Sequence, residues 1–334
     1  MNNNVFSLCL LPDNALLHVI RSFDYVNLIA FSLISTETKS LVKSLNLVID
    51  TLSMHIQENE NHNQNSLRLC LAFSNRTIEF EIYRSINEER TPGISLIGLD
   101  EVQEFVRFSS DLEGYSIQDT LTWKNPGLSF TGWFEHFRYL FKFKKSRFHV
   151  CTLYEIFDTA AIKNLFPEYT EVIIERAYCN YAEKIFELFS PCTKNFYTQI
   201  ILGRLKFPQN VGIQNFDEMC SYYPLKFDDL LILNARDIRV RDFSISDAKR
   251  FFKSWIKGSN PRIKNLFMVL TEDGSEKNLY EGITHQNMPW DLERMTENGI
   301  IRGGIDIRSK KGILATIEIC SWHSSIIRMH VWNG

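Results

Sequence analysis

The sequence lacks a strong net charge and a long apolar run. Its 334 residues carry a formal net charge of −3, which argues against attraction to the bulk charge of nucleic acid or of a membrane surface. No stretch approaches the roughly 20 apolar residues that a membrane-spanning helix needs. The short apolar run at residues 5–11 has no basic lead-in and no cleavage pattern, so no secretory signal is expected. We therefore expect a cytoplasmic or nuclear protein that binds neither nucleic acid nor a membrane.

Paired cysteines and catalytic motifs are also missing. The seven cysteines are scattered and form no C-x-x-C pair, which is typical of free thiols in a reducing compartment. The phosphate loop, the dinucleotide glycine motif, H-E-x-x-H and G-x-S-x-G are absent. Cys320 and His323 have no second pair to complete a zinc site. These absences predict a protein without metal, cofactor or enzymatic activity; a Cys/His site assembled only by the fold is the alternative.

Apolar residues make up 44% of the chain and are most tightly organised in residues 11–47. The first predicted helix places four of them on one face: Leu16, Val19, Ile20 and Phe23. A second apolar run contains Leu28, and Ser35 can cap a third helix. A unit of roughly 40 residues is below the size that usually folds alone. Its large apolar side chains are therefore predicted to contact either the rest of this chain or a separate partner.

These residues resemble an F-box. The resemblance rests on the Leu11-Pro12 opening, the apolar face of the first helix, Leu28 after an Asp-containing turn, Ser-Leu-Ile-Ser at 32–35, and the basic third helix. In the F-box family this face binds the Skp adaptor of a cullin-based ubiquitin ligase. The resemblance implies that residues 6–47 bind a Skp-type adaptor, and through it a cullin, by helix-in-groove recognition. The implied contact residues are Leu11, Pro12, Leu16, Val19, Ile20, Phe23 and Leu28.

A polar stretch at residues 55–66 carries little to bury and marks the best internal boundary. The predicted domains are therefore an F-box at 1–50, a linker at 51–66 and a second domain at 67–334. Alternating apolar residues at 67–73 and 78–82, joined by a short turn, predict a β-hairpin at the start of the second domain.

From about residue 147, short apolar strand patterns alternate with helical patterns. The predicted strands lie at 148–153, 171–175, 199–205, 230–234 and 265–270. Their spacing overlaps and exceeds the roughly 20 to 29 residues of leucine-rich repeats. One strand and one helix per unit predict a parallel sheet wound as a short solenoid; a doubly wound α/β domain is the alternative.

The predicted fold class is α+β. A three-helix F-box is followed by a leucine-rich-repeat-like α/β curved solenoid at about 147–270, and antiparallel hairpins flank the solenoid. The terminal hairpin is predicted at about 303–332, where it can cover the open end of the solenoid.

Residues 228–266 resemble the type 2 F-box-associated domain of the expanded nematode F-box families. The resemblance rests on DDLLILNARDI at 228–238, FFKSWIKGSNP at 251–261 and GGIDIRSKKGILATIEI at 303–319. The chain departs from the family pattern at Lys311-Gly312, where Asp-Gly is usual. The resemblance implies a substrate-recognition adaptor whose downstream domain binds a protein target. A ligase-independent scaffold with a leucine-rich-repeat-like domain is the alternative.

Polar residues just past the predicted strands are the predicted substrate contacts. Such positions can specify a partner without disturbing the core. They are Arg204, Arg236, Asp237 and Arg239. A solvated rim without a partner is the equally consistent alternative.

Overall fold

The computed structural model describes ten segments of the chain. They are residues 11–59, 64–74, 76–84, 98–112, 115–166, 169–204, 207–271, 279–297, 299–319 and 326–332. The chain divides into unit 1, residues 1–55 and 59–146, and unit 2, residues 56–58 and 147–334. Within the described segments, no helix has both the length and the apolar character of a membrane span.

Three short helices open unit 1: α1 (Asp13–Arg21), α2 (Tyr25–Ser32) and α3 (Thr36–Ser44). Asp24 caps α2 by accepting a hydrogen bond from the backbone N–H of Asn27 at 2.7 Å. Ser35 caps α3 by accepting from the backbone N–H of Thr38, whose hydroxyl in turn accepts from the backbone N–H of Ser35. The cap predicted at Ser35 is confirmed. Helices of eight or nine residues are too short to be stable alone and depend on tertiary packing.

Five strands and one helix complete unit 1. They are β1 (Val48–Asn59), β2 (Gln64–Phe73), β3 (Arg76–Arg84), β4 (Phe105–Leu112), β5 (Tyr115–Lys124) and α4 (Phe130–Leu140). The strands follow chain order, and β2 to β5 pair antiparallel. The predicted hairpin is confirmed, with Leu67 opposite Ile82 and Leu71 opposite Ile78.

Aromatic residues hold α4 against this sheet. The ring of Phe80 lies 4.0 Å from that of Phe108 and 4.4 Å from that of Phe137, and Trp133 is 5.5 Å away. All four side chains are buried. Such pairs contribute beyond the area they bury.

Most of the predicted linker at 51–66 is strand. β1 continues to Asn59 and β2 begins at Gln64, and residues 60–63 lie outside the described residues. Leu52, Met54 and Ile56 alternate along β1 and are fully buried. The polar stretch that favoured a linker begins at residue 55, inside β1, and there it overlaps the end of this buried alternation at Ile56.

Helices α2 and α3 pack against their own unit. The Tyr25 and Phe73 rings stack at 3.7 Å, and Ser32 Oγ lies 2.8 Å from His136 Nε2 of α4. The ammonium of Lys43 lies 3.9 Å from the centre of the Tyr139 ring. Part of the apolar surface of the three helices is therefore used within the chain.

Unit 2 contains most of the remaining elements. In chain order they are β6 (Lys142–Cys151, of which residues 147–151 belong to unit 2), α5 (Thr159–Leu165), β7 (Tyr169–Tyr178), α6 (Cys179–Phe189), β8 (Thr193–Leu202), α7 (Gln209–Gly212), β9 (Phe216–Ser221), α8 (Phe227–Ile232), β10 (Ala235–Phe243), α9 (Ile245–Lys257), β11 (Asn265–Leu270), β12 (Gln286–Asn287), β13 (Glu293–Thr296), β14 (Gly299–Arg302), β15 (Ile305–Arg308), β16 (Leu314–Ile319) and β17 (Ile326–Val331). A one-turn 3₁₀ helix, Ser190–Cys192, follows α6.

The prediction of a leucine-rich-repeat-like solenoid was wrong. Strands β6 to β11 pair in parallel, but the same sheet continues antiparallel from β11 through β17, β16 and β15 to β12. The helices between the parallel strands range from four residues in α7 to 13 in α9. A solenoid needs a similar rotation at every repeat, and units this unequal do not supply it. The sheet of unit 2 is mixed.

The stretch between the predicted strands at 199–205 and 230–234 is not simply helical. Residues 230–234, predicted as a strand, mostly belong to helix α8, and residues 216–221 form strand β9. Asp228 and Asp229 lie in the first turn of α8, and the Asp229 carboxylate accepts from the Lys226 backbone N–H at 3.2 Å. This local capping starts a helix that a Leu-rich run alone does not distinguish from a strand.

Helix α9 is capped at both ends. Gly258 is left-handed, with φ of 112°, and its N–H bonds back to the last helical turn, as in a glycine cap. The N-cap is Ser244, whose hydroxyl accepts from the backbone N–H of Asp247. Buried Asn260 follows and donates to the carbonyls of Leu230 and Leu233 at 3.1 and 2.8 Å. The 251–261 signature therefore serves as scaffold.

His136 makes unit 1 sensitive to acid. Burial, and then the charge of Lys39, lower the pKa of His136 to about 4, whereas an unfolded histidine titrates near about 6.5. Because the folded state keeps His136 neutral, its contribution is complete above about pH 6.5 and is lost as the pH falls from there towards about 4. We expect the free energy of unfolding to fall by about 1.4 kcal/mol per pH unit in this window from this group. Urea unfolding at pH 7 and pH 5 measures the loss.

The control for this prediction is His18, an exposed histidine on α1. His136→Gln should reduce the difference in stability between pH 7 and pH 5, and His18→Gln should leave it unchanged. An equal pH dependence in wild type and His136→Gln would show that other groups cause the acid sensitivity.

Candidate functional site

The sheet of unit 2 has a core face and an open face. Alternate residues such as Ile238, Val240 and Leu266 are buried on the core face, where Phe196 of β8 stacks on Phe186 of α6 at 4.5 Å. The residues between them point to the other side. This open face carries charged and aromatic side chains.

A polar row crosses the open face because the strands pair in register. The partners are Glu218, Asp237, Asn265, His330, Thr316 and Asp306, in that order across six strands. Asn265 Nδ2 donates to Asp237 Oδ1, and His330 Nδ1 donates to Asn265 Oδ1 at 2.6 Å. Burial lowers the pKa of His330, an effect that Glu297 and Asp237 oppose and Lys264 adds to. A neutral His330 suits its role as a hydrogen-bond donor in the row.

A second row lies two residues further along the strands. Arg239, Phe267 and Arg328 are direct partners on β10, β11 and β17. The Arg328 guanidinium lies 6.0 Å from the centre of the Phe267 ring. Arg239 Nε lies 3.2 Å from Glu218 Oε1, and the Tyr197 hydroxyl donates to the other Glu218 oxygen at 2.7 Å. Two arginines therefore flank one aromatic ring.

A groove of about 390 Å³ lies over these two rows. Its floor consists of residues from β9, β10, β11 and β17, and its wall is the separate two-stranded ribbon of β13 and β14. From the ribbon, Thr296 and Gly299 to Ile301 line the groove. The volume is within the range of pockets that bind ligands, about 300 to 1,000 Å³. The groove is the best candidate for a binding site within the described part of unit 2.

A paired and half-buried arginine attaches the ribbon to the sheet. Arg294 of β13 binds both carboxylate oxygens of Asp306 at 2.9 Å and donates to Thr316 Oγ1 at 2.8 Å. Thr316 in turn donates to Asp306 at 2.7 Å and accepts from Trp332 Nε1 at 2.8 Å. A bidentate pair of this kind fixes geometry as well as contributing energy.

Asp306→Asn should loosen the groove wall. Removing one partner of a buried ion pair costs about 3 kcal/mol or more, and the Asp306 side chain is only 9% exposed. We expect faster amide hydrogen exchange at residues 293–302, measured by mass spectrometry, with little change in β7 and β8. Glu293→Gln is the control, because Glu293 and Arg302 are more than half exposed and such pairs contribute little. Unchanged exchange in Asp306→Asn would mean that other contacts hold the ribbon.

The predicted substrate-contact residues do not lie together. Asp237 and Arg239 are on the open face and line the groove. Arg236 is on the other face of β10, with Ile238, by strand alternation. Arg204 is exposed and follows β8. The prediction that Arg236, Asp237 and Arg239 follow a strand was wrong, because β10 begins at Ala235 and contains all three.

The seven predicted adaptor contacts differ in exposure. Leu16, Ile20 and Leu28 are buried, with 5%, 0% and 3% exposure. The other four are exposed or half-buried: Leu11, Pro12, Val19 and Phe23. Between α2 and α3, Ile34 is 72% exposed, and sequence reasoning did not select it. Whether these residues contact an adaptor remains a prediction.

Sequence reasoning missed most of the groove. Asn265, Phe267, Arg328 and His330 all line it. In β17, polar and apolar residues alternate from Arg328 to Val331, which is a signal that Arg328 and His330 share one face. In β11, every residue after Asn265 is apolar, so its sequence gives no such signal. The signal in β17 does not show which strands are neighbours.

Two thiols of unit 2 have raised pKa values. Burial, and then Glu175, raise the pKa of Cys151 to about 11. Burial also raises the pKa of Cys220 on the open face. Reactive cysteines need a lowered pKa, so these two thiols are poorly suited to catalysis at neutral pH.

Two models of known domain families match parts of the chain. A model of the F-box domain matches residues 8–50, and a model described as F-box associated matches residues 207–268. The chain therefore contains an F-box domain and an F-box-associated domain. The first implies binding to a Skp-type protein in ubiquitin ligase adaptors, and the second suggests a domain that binds substrates. The second match includes β9, β10 and most of β11, which form much of the groove floor. No curated protein and no solved structure matches the chain.

Proposed function

We propose that this protein is the substrate-recognition adaptor of a Skp–cullin–F-box ubiquitin ligase. The F-box domain binds the Skp-type adaptor, and unit 2 holds a protein target. The observation that carries the proposal is the F-box match on three short helices that leave apolar residues at the surface. Pro12 and Ile34 are exposed, and Leu11, Val19 and Phe23 are half-buried.

The adaptor contacts are these five accessible residues rather than all seven predicted from the sequence. Leu16, Ile20 and Leu28 support the face from below, because their side chains are already buried in the free chain. An apolar face that opens with a Pro-led loop fits a groove on a partner helix pair.

The mechanism is proximity without chemistry by this chain. A target held on unit 2 is brought near a ubiquitin-loaded enzyme, so its effective concentration there rises. We propose that this happens in the cytoplasm or nucleus and that the chain is one of the nematode F-box proteins. The Trp255–Pro261 signature and the 303–319 pattern support that origin.

The alternative is a protein-binding scaffold that works without the ligase. It is favoured by the packing of α2 on its own unit, through Tyr25 with Phe73 and Ser32 with His136, and by Lys43 of α3 over the Tyr139 ring. In that case the helices are a cap of unit 1 and need no partner.

Co-purification with the Skp adaptor separates the two functions. Leu11→Ala with Pro12→Ala removes the exposed opening of the F-box and should weaken adaptor binding at least tenfold, because a few anchors carry most of the energy of an interface. The fold should persist, since neither side chain is buried. The measurement is affinity purification of the tagged chain from cells, followed by immunoblotting for the adaptor and the cullin.

Ile213→Ala is the matched control. Ile213 is an apolar residue of unit 2 with 63% exposure, so its truncation should leave adaptor binding intact. Wild-type levels of adaptor with the double variant would contradict the proposed docking face. Absence of adaptor and cullin from the wild-type purification would favour the scaffold.

A further inference from the structure

The groove on unit 2 combines unused charge with an open strand edge. Among the described residues, Arg328 donates no hydrogen bond, and Arg239 approaches Glu218 with its Nε, at 3.2 Å. Two nearby carboxylates have other partners as well: Glu218 accepts from Tyr197, and Asp237 accepts from Asn265. Burial raises the pKa of Glu318, which lies opposite Arg328, and the charge of Arg328 opposes that rise. Two guanidinium groups remain available to an anion.

The spacing of the two arginines suits one carboxylate. Arg239 and Arg328 are on strands separated only by β11, and adjacent strands lie about 4.8 Å apart. Their Cα atoms are therefore about 10 Å apart, so that both long side chains can reach a group placed over Phe267 between them. Guanidinium forks bind carboxylates through paired hydrogen bonds.

The groove wall offers backbone hydrogen bonds as well. Within the described residues, β14 pairs only with β13. Opposed residues in an antiparallel pair alternate between bonded and non-bonded, so every second residue of β14 directs its N–H and C=O away from β13. An edge of this kind can accept an added strand. Ile300, in this strand, is 43% exposed and lines the groove.

We propose that an extended segment of the target protein adds to the open edge of β14 and places an acidic side chain between Arg239 and Arg328, above Phe267. A neighbouring apolar side chain of the segment contacts Ile300. The inference rests on the proposed function, because it specifies the substrate class that unit 2 recognises. A carboxylate seated there completes the hydrogen bonding of both arginines, and the strand pairing makes recognition depend on an unfolded or exposed stretch of the target.

The test uses the full chain and a phage-displayed library of random nine-residue peptides. We expect selected peptides to carry Asp or Glu beside an apolar residue. The best peptide, labelled with a fluorophore, is then measured by anisotropy. Arg239→Gln and Arg328→Gln should each weaken its binding on the order of tenfold, as expected for loss of a hydrogen bond to a charged group. Lys311→Gln, an equal loss of charge in an exposed turn outside the groove, should leave the affinity unchanged.

The strand pairing has its own test. The same peptide with N-methyl groups on alternate residues loses donors on one edge, and should bind on the order of tenfold more weakly than the unmodified peptide. Unchanged affinity would overturn the strand addition. Selection of basic peptides, or of peptides indifferent to both arginines, would overturn the acidic contact.

Adaptor binding is measured in a separate experiment, so that a failure of the groove assignment can be distinguished from a failure of the proposed ligase function. The Arg239→Gln, Arg328→Gln double variant should co-purify with the Skp adaptor as the wild type does, while it loses targets. If peptides bind as expected but the wild-type chain brings no adaptor, the ligase function fails and the groove stands. If the adaptor is present and the double variant retains every target, the groove assignment fails and the ligase function stands.

Discussion

The register of the strands in unit 2 is the constraint on which the candidate site depends. Asp237, Asn265 and His330 meet because they are direct partners on β10, β11 and β17. A slip of one residue in any of these strands would move its polar side chains into the core and its apolar ones onto the open face. Buried neighbours such as Ile238 and Leu266 oppose that slip, because exposing each of them would cost about 1.5 to 3 kcal/mol. The buried residues of the core therefore fix the strand register, and the register determines which polar side chains meet on the open face.

Most polar groups on this surface form hydrogen bonds or ion pairs with one another. Arg239 and Arg328 differ from them because they keep unused hydrogen-bond donors. Asp306 is held by Arg294 and Thr316, and Asp237 by Asn265. Each of these groups would be costly to strip of its partner, so they stabilise the site instead of recognising a ligand. Arg239 and Arg328 keep donors in reserve. An interface needs only a few strong contacts surrounded by neutral ones, and a structural network around two available cations meets that description.

The three F-box helices use part of their apolar surface to pack within unit 1 and leave the rest accessible. The helices are too short to persist alone, so α2 and α3 must bury part of their apolar surface on unit 1, as the stacking of Tyr25 on Phe73 shows. What remains accessible is the opening at Leu11 and Pro12, the end of α1 with Val19 and Phe23, and the α2–α3 turn with Ile34. The proposed adaptor-binding face, formed by these accessible residues, is smaller than the full apolar pattern of the three helices suggests. Apolar periodicity alone does not distinguish the residues of this face from the buried residues beneath it, because both kinds follow the same helical spacing.

Features with local causes could be predicted from the sequence, and features with long-range causes could not. The caps at Ser35, Asp158 and Gly258 depend on hydrogen bonds within a few residues, and the sequence predicted the first of them correctly. The Leu-rich run at 230–234 is compatible with either a helix or a strand. Because it was predicted as a strand, residues 235–239 were placed after a strand, whereas β10 in fact begins at Ala235. This error changed the predicted positions of the candidate substrate contacts. Arg236 and Arg239 look equivalent as loop residues, but on a strand they fall on opposite faces.

The meeting of Asn265 with His330 shows the remaining limit. The two residues are 65 positions apart and lie on strands that pair antiparallel, at the point where the parallel part of the sheet ends. Nothing in either strand specifies this neighbour, because the pairing follows from how the whole unit packs. The alternation within each strand does specify which side chains share a face. The sequence therefore indicates which residues of one strand lie on the same face. Which strands become neighbours, and so which of these residues form the groove, is determined by the packing of the whole sheet.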